Sequence, residues 1–200
     1  MNILPLIDQL SDPDERERVF AADDLGVSNE PAAIGPLIAR LLLEESRAVR
    51  EMIMLALRRI ESEVVLEQAV QLLASDDPFV RNEMGALLQA RGEKSIPWLV
   101  RVQNHADPDV RKLAIDAASE IPSPLVSGML ATALADPDPN VVITAVEYAG
   151  LRQCSELRAQ IEALAAVAVE PMLLLACNEV LTVLRRAGSS ASGPAATEIF

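Results

Sequence analysis

The feature that most constrains the fold of this chain is an internal repeat of about 31 residues. One column of the repeat holds Arg18, Arg50, Arg81, Arg111 and Val142, at intervals of 30 to 32 residues. Four residues before each of these stands a residue that favours a helix N-cap: Asp14, Ser46, Asp77, Asp107 and Asp138. In three units a proline follows the N-cap, at the first helical position, where the missing N–H costs nothing: Pro78, Pro108 and Pro139. Each unit is therefore predicted to start with a helix.

Two helices are predicted in each unit. The first carries apolar residues three and seven positions after the arginine column, on one helical face, as in Ile53 and Leu57. The second follows a short loop, with apolar residues spaced by three or four: Ile34-Leu37-Leu41, Val65-Ala69-Leu72, Ile96-Leu99-Val102, Val126-Leu130-Leu134 and Leu157-Ile161-Leu164. Since one helix pair cannot bury its apolar face alone, the sequence predicts an all-α solenoid of about five to six stacked pairs.

The repeat pattern weakens towards the end of the sequence. Glu170 and Pro171 mark the start of a sixth, degenerate unit, in which Cys177 and Leu181 fall in apolar columns. The residues that follow, GSSASGPAAT, are small, uncharged and without helical period. We expect residues 1–187 to form the solenoid and residues 188–200 to form a flexible tail.

The segment Asp107-Pro108-Asp109-Val110-Arg111 and its variants at 11–26, 75–88 and 136–150 resemble a known repeat. They are similar to the bacterial HEAT-like repeat that is also found in phycobilin lyases, over about residues 1–187. The resemblance implies that second helices line a concave binding face and that the repeated arginines bond to neighbouring units. The repeat pattern itself indicates little about activity, because the repeated residues serve capping and packing.

The arginine column has two interpretations. Four arginines along one edge would grip an anionic partner. Alternatively, each guanidinium bonds an Asp or a backbone carbonyl of the adjacent unit, in a charge-assisted hydrogen bond. The resemblance favours the second, structural interpretation.

Partner-binding residues are predicted on the second helices and in the tail. Trp98 falls outside the regular core columns, so it is either an interface anchor or irregular core beneath a neighbouring loop. The apolar residues that end the sequence are either a docking motif on a tether or an end without a role. The predicted partner-binding residues are Arg40, Glu67, Trp98, Arg101, Ile199 and Phe200.

The residues that could perform chemistry are few, and no catalytic, metal or cofactor site is predicted. His105 lies in a turn between units, where an exposed histidine without a catalytic role is expected. Cys177 is expected in the core, whereas Cys154 lies in a loop and is expected to be accessible. Acidic pairs are interpreted as ordinary solvated carboxylates at helix starts or on polar faces: Asp23-Asp24, Glu44-Glu45 and Asp76-Asp77.

Charge and hydropathy exclude further classes. Seventeen basic and thirty acidic residues give a net charge of −13, which repels phosphate and argues against nucleic-acid binding, including HEAT-type DNA glycosylases. The apolar stretches are too short to span a bilayer, and the N-terminal stretch lacks the basic flank of a signal peptide. We therefore expect a cytoplasmic protein with reduced thiols.

These observations leave two functions open. The first is a noncatalytic protein–protein interaction scaffold or adaptor, which binds a basic or mixed-charge protein through its concave face. The alternative, implied by the resemblance, is a phycobilin lyase-like protein or a chaperone subunit that acts on a tetrapyrrole-bearing protein. Five aromatic residues in the whole chain supply a tetrapyrrole pocket poorly.

Overall fold

The computed structural model describes residues 2–190, with side chains to residue 186, and these residues form helices without any strand. The α-helices are α1 (Leu4–Gln9), α2 (Glu15–Ser28), α3 (Ile34–Leu43), α4 (Arg47–Arg59), α5 (Glu63–Leu72), α6 (Pro78–Arg91), α7 (Ile96–Val102), α8 (Pro108–Ser119), α9 (Leu125–Ala133), α10 (Pro139–Leu151), α11 (Arg158–Val167) and α12 (Pro171–Ser190). Short 3₁₀ turns precede α3, α7 and α11. The predicted all-α repeat architecture is confirmed.

The chain divides into two compact units, residues 1–88 and 89–200, and the boundary falls within α6. In unit 1 the first helices α2 and α4 lie side by side, α1 packs on α2, and α3 packs on α4. In unit 2 the first helices α8, α10 and α12 pack in succession, and the second helices α7, α9 and α11 pack against them. Within each unit, consecutive helix pairs therefore stack as the repeat predicts.

The predicted start signals work as capping residues. In each of the five regular repeats, the N-cap residue accepts a hydrogen bond from a backbone N–H of the first helical turn. These residues are Asp14, Ser46, Asp77, Asp107 and Asp138. The prolines of the following column begin α6, α8 and α10. Because these groups satisfy the free N–H groups of the first turn, the repeated sequence fixes where each first helix begins.

Small residues let the first helices approach closely. A Cβ on Gly26 of α2 would lie 2.6 Å from Ala56 Cα and 2.8 Å from Ala56 Cβ on α4. In unit 2, a Cβ on Gly150 of α10 would lie 2.7 Å from Val180 Cγ2 on α12. These distances are below van der Waals contact. At Gly26 the overlap is with backbone, so the observed helix spacing requires glycine, whereas at Gly150 an added Cβ would have to displace a methyl group of Val180.

Three arginines of the column, Arg18, Arg50 and Arg111, link successive repeats, which confirms the structural interpretation for these positions. Arg18 Nε and Nη2 donate to the two carboxylate oxygens of Glu44 at 2.9 and 3.1 Å. Arg111 binds Asp136 in the same bidentate way, at 2.8 and 2.7 Å. Arg50 pairs with Asp77. In each case the acceptor is the acidic residue in the loop before the next first helix.

Three guanidiniums of the column hold the loop that precedes their own helix, and Arg81 does so through a bond from Nη1 to Ser75 O at 2.6 Å. Arg18 Nη1 donates to the carbonyl oxygens of Asp12 and Pro13, and Arg111 Nη1 donates to those of His105 and Ala106. A single side chain therefore ties two consecutive loops together.

Glu44 is not the solvated carboxylate that the sequence predicted. Its side chain is only 2% exposed and binds both Arg18 and Arg40, and it accepts the N–H of Ser46. Burial alone would raise the pKa of Glu44, but the hydrogen bonds from Arg18, Ser46 and Arg40 outweigh it and lower the pKa to about 2. The prediction failed because sequence spacing alone did not show which acid the arginine column reaches.

At the other end, α12 continues to Ser190, into the segment predicted to be a flexible tail from residue 188. The rest of the predicted tail, with Ile199 and Phe200, lies outside the described residues.

Replacing Gly26 by alanine is expected to destabilise the fold by roughly 1–3 kcal/mol, because the new Cβ overlaps the α4 backbone. The matched control is Gly35→Ala on α3, where an added Cβ meets nothing within 4 Å. Urea unfolding followed by circular dichroism should show a lower midpoint for Gly26→Ala and an unchanged or higher one for Gly35→Ala. Equal midpoints for the two variants would contradict a steric requirement at Gly26.

Replacing Glu44 by glutamine is expected to lower the free energy of unfolding at neutral pH by about 3 kcal/mol, from the pKa difference between about 2 in the fold and 4.5 unfolded. Since the unfolded chain binds the proton more readily, this stabilisation is complete above the unfolded pKa and is lost as pH falls towards 2. The deficit of Glu44→Gln should therefore shrink as the pH is lowered across that window.

Glu51→Gln is the control, because Glu51 forms an exposed pair with Arg47 and should change stability little at any pH. Chemical unfolding at a series of pH values measures both variants against the parent, so the titration of all other carboxylates cancels. A deficit of Glu44→Gln that stays constant with pH would show that the charge of Glu44 is not what stabilises the fold.

Candidate interaction surfaces

An apolar cavity lies in unit 1 between α1 and the second helix α3. Its volume is about 320 Å³, and Ser11 and Arg40 border it. The chain turns at Ser11, where α1 has ended, so that α1 lies beside α3 and leaves a cleft. The apolar lining residues are Ile7, Leu10, Pro36, Ala39 and Leu43.

A second, charged cavity of about 630 Å³ adjoins the first and shares Ser11, Arg40 and Leu43 with it. We call the two cavities together the N-terminal groove. The ionisable side chains of the charged cavity are Asp12, Glu15, Arg18, Arg40, Glu44 and Glu45. The groove therefore has an apolar half and a half rich in carboxylates.

Arg40, one of the predicted partner-binding residues, stands where the two halves meet. Its Nε donates to Glu44 at 2.7 Å, and its side chain keeps 23% of its exposure. Glu44 thus holds the guanidinium in one position, with part of it facing the groove. The structure gives Arg40 a structural partner as well as an exposed edge.

The groove carries a surplus of negative charge. Glu44 is shared between Arg18 and Arg40, so this trio is net positive by one. Within the described residues Asp12, Glu15 and Glu45 form no ion pair. The Glu44 hydrogen bond is the main reason that the pKa of Arg18 is raised, and the fields of Glu15 and Asp12 add to it. Four carboxylates against two guanidiniums leave two net negative charges in the charged half.

In unit 2 the structure brings Trp98 and Arg101 together on α7. Their spacing of three places both on one side of the helix, and Arg101 Cζ lies 4.5 Å from the centroid of the Trp98 ring. Trp98 is half-buried, Arg101 is exposed, and the adjacent Val100 is 43% exposed. The cation–π contact holds an exposed arginine against a large aromatic surface.

The remaining predicted partner-binding residues are separate. Glu67 is exposed on α5, does not line the N-terminal groove and forms no ion pair within the described residues. Ile199 and Phe200 lie outside the described residues.

Sequence reasoning missed the groove and its lining residues Leu43, Glu15 and Glu45. A signal was present in the run Leu41-Leu42-Leu43. Three consecutive leucines exceed the apolar stripe of one helix, so part of the run must face outward. Leu41 is buried, whereas Leu42 and Leu43 are 51% and 76% exposed.

The thiols and the histidine have structural environments. The expectation that Cys154 is accessible was wrong: its side chain is buried, because Gln153 adopts a positive φ of 55° and the Cys154 N–H returns to Ala149 O. Cys177 is buried as predicted, and burial raises the pKa of both thiols. His105 is exposed as predicted, and its Nδ1 accepts the N–H of Asp107.

The described residues 2–190 contain neither a metal-binding cluster nor a membrane-spanning helix. No cluster of three or more His, Cys, Asp or Glu side chains in this range could hold a metal ion. No helix of the same range has both the length and the hydrophobicity to cross a membrane.

Comparison with solved structures finds helical repeat proteins at low sequence identity. The MAST/Orbit N-terminal domain shares 15% identity at a TM-score of 0.53, over 92% of this chain and 96% of that one. Human deoxyhypusine hydroxylase shares 20% identity at a TM-score of 0.52, over 92% and 74%. The complex of CpcE and CpcF of phycocyanin lyase from Nostoc sp. PCC7120 reaches 18% and a TM-score of 0.39, over 92% and 95%. Such identities bear on the fold alone.

The sequence itself identifies a family. No curated protein matches it significantly. The family model for HEAT repeats, however, matches residues 3–89 and residues 66–149, which together cover most of the chain. These matches span the repeated caps and the arginine column described above. The chain belongs to the HEAT repeat family.

Proposed function

We propose that this protein is a noncatalytic scaffold or adaptor that binds another protein through its second helices. The observation that carries the proposal is the stack of the exposed Arg101 on Trp98, on the second helix α7. Tryptophan and arginine are the side chains most enriched in the energetic centres of protein interfaces. A cation–π contact that already orders both side chains lowers the entropy lost on binding.

The distribution of roles along the repeat supports this proposal. The first helices and their loops use their acids and arginines for capping and for ion pairs between repeats. The two thiols are buried, and the histidine bonds a neighbouring backbone N–H. Some exposed side chains of the second helices, such as Glu67 on α5, form no ion pair within the described residues, and the HEAT repeat fold is typical of protein-interaction scaffolds.

The charge of the chain suggests the kind of partner. A net charge of −13 favours a basic or mixed-charge protein, mainly by raising the rate of association. Buried, reduced thiols suit the cytoplasm as the place where the two proteins meet.

Trp98→Ala is expected to weaken binding of a direct partner by roughly tenfold or more, because it removes the aromatic surface and releases Arg101. The matched control is Leu151→Ala, which removes a 77% exposed leucine from the first helix α10 in the same unit. Full-length variants are used as bait in cell extract, and each retained protein is then tested as a purified pair by calorimetry.

Arg101→Ala is a second test variant. Because Arg101 is exposed, its replacement should leave the fold intact even if Trp98→Ala lowers stability. A partner that binds the parent and Leu151→Ala, but binds Trp98→Ala and Arg101→Ala weakly, supports the proposal. Equal affinities for all four proteins, or an equal loss with Leu151→Ala, would rule out the second-helix face of unit 2 as the binding site.

A further inference from the structure

We propose that the N-terminal groove of unit 1 is a separate peptide-binding site, for a partner segment that carries a large apolar side chain within a few residues of lysine or arginine. The inference rests on the proposed role as a binding scaffold, but on a different surface from that of Trp98. It assigns a partner chemistry to the groove that Leu43 and Arg40 divide into two halves.

The apolar half fits one large aliphatic or aromatic side chain. Its volume of about 320 Å³ is at the lower limit of ligand pockets in proteins. The buried Leu10 and the half-buried Ile7 and Pro36 line it, and Leu43 lies over it with 76% of its surface exposed. Such exposure of a leucine beside a cleft is the surface that an inserted apolar side chain would cover.

The charged half of the groove determines the sign of the charge that a bound peptide should carry. Glu44 is already satisfied by Arg18, Arg40 and Ser46, so it offers nothing further to a ligand. The carboxylates left for a partner are those of Glu15, Glu45 and Asp12, of which Asp12 also accepts the N–H of Asp14. Glu15 and Glu45 are exposed and have no basic partner within the described residues. They favour a cationic side chain.

The arginines of the groove do not reverse this preference. Arg18 has its Nε, Nη1 and Nη2 bonded to Glu44 and to the loop carbonyls of Asp12 and Pro13. Arg40 shares the same carboxylate. Arg40 also lies beside Leu43, where the apolar and charged halves of the groove meet. There it can contact the backbone of a peptide that passes from one half to the other. Since the two cavities adjoin, a peptide that fills both must carry its apolar and basic residues close together in sequence.

Selection from a random peptide library displayed on phage tests the proposal without assuming a sequence. The full-length protein is the target, and the full-length double variant Glu15→Lys/Glu45→Lys is used for counter-selection. We expect the enriched peptides to carry Leu, Ile, Met or Phe within a few residues of Lys or Arg. Binding of a labelled enriched peptide is then measured by fluorescence polarisation.

Matched variants distinguish binding in the groove from nonspecific electrostatic attraction of basic peptides to the acidic chain. Glu15→Lys/Glu45→Lys should weaken binding by roughly tenfold or more, whereas Glu147→Lys on the exposed face of α10 should not. Leu43→Ser should weaken it markedly, whereas Leu42→Ser, the neighbouring leucine that does not line the groove, should not. Trp98→Ala should leave peptide binding to the groove unchanged. Failure of the proposed Trp98 interface can therefore be distinguished from failure of the groove proposal.

Three results would overturn the proposal. One is enrichment of acidic peptides, or of peptides that bind the Glu15→Lys/Glu45→Lys variant more tightly than the parent protein. Another is equal loss of binding in Leu42→Ser and Leu43→Ser. The third is a selection that yields no shared motif, combined with self-association of the parent protein and loss of that self-association in Leu43→Ser. This combination would assign the groove to a second copy of this protein.

Discussion

The interaction on which this structure depends most is the arginine–carboxylate contact between consecutive repeats. A solenoid has no single core, so each pair of helices is held mainly by its immediate neighbours. Apolar stacking supplies the attraction, but it is tolerant of small rotations. The bidentate contacts of Arg18 with Glu44 and of Arg111 with Asp136 fix the loops of successive repeats at defined distances. Directional bonds therefore set the geometry of a stack that non-directional burial stabilises.

The repeat also shows how such a contact can be replaced. Val142 occupies the arginine column of the fifth repeat and is buried, so an apolar side chain takes the place of the guanidinium. A buried ion pair and a well-packed apolar residue are often similar in stability, which makes this exchange inexpensive. Unit 2 has a different tie at the opposite end of α10. Arg152, after α10, donates to the carbonyls of Ser119, Ile121 and Ser123 in the preceding repeat.

Much of the fold could be predicted because the constraints on it are local and periodic. The caps at Asp107 and Asp138 act within one helical turn, so sequence spacing is sufficient to place them. The environments of Glu44 and Cys154 depended on contacts distant in sequence or on one backbone conformation, which spacing does not encode. The groove was missed for the same reason, since it forms only when α1 folds beside α3. The Arg101–Trp98 contact, by contrast, follows from a spacing of three on one helix.

The use of charge in unit 1 explains why a binding surface can exist beside the structural contacts. Arg18 and Arg40 neutralise Glu44 and hold its pKa at about 2, so this cluster keeps its charge at any physiological pH. Glu15, Glu45 and the exposed Leu43 are not needed for those contacts, and their substitution should cost the fold little. Residues released from structural duty in this way are free to differ between repeats, and this freedom lets a periodic scaffold carry a site that is not periodic.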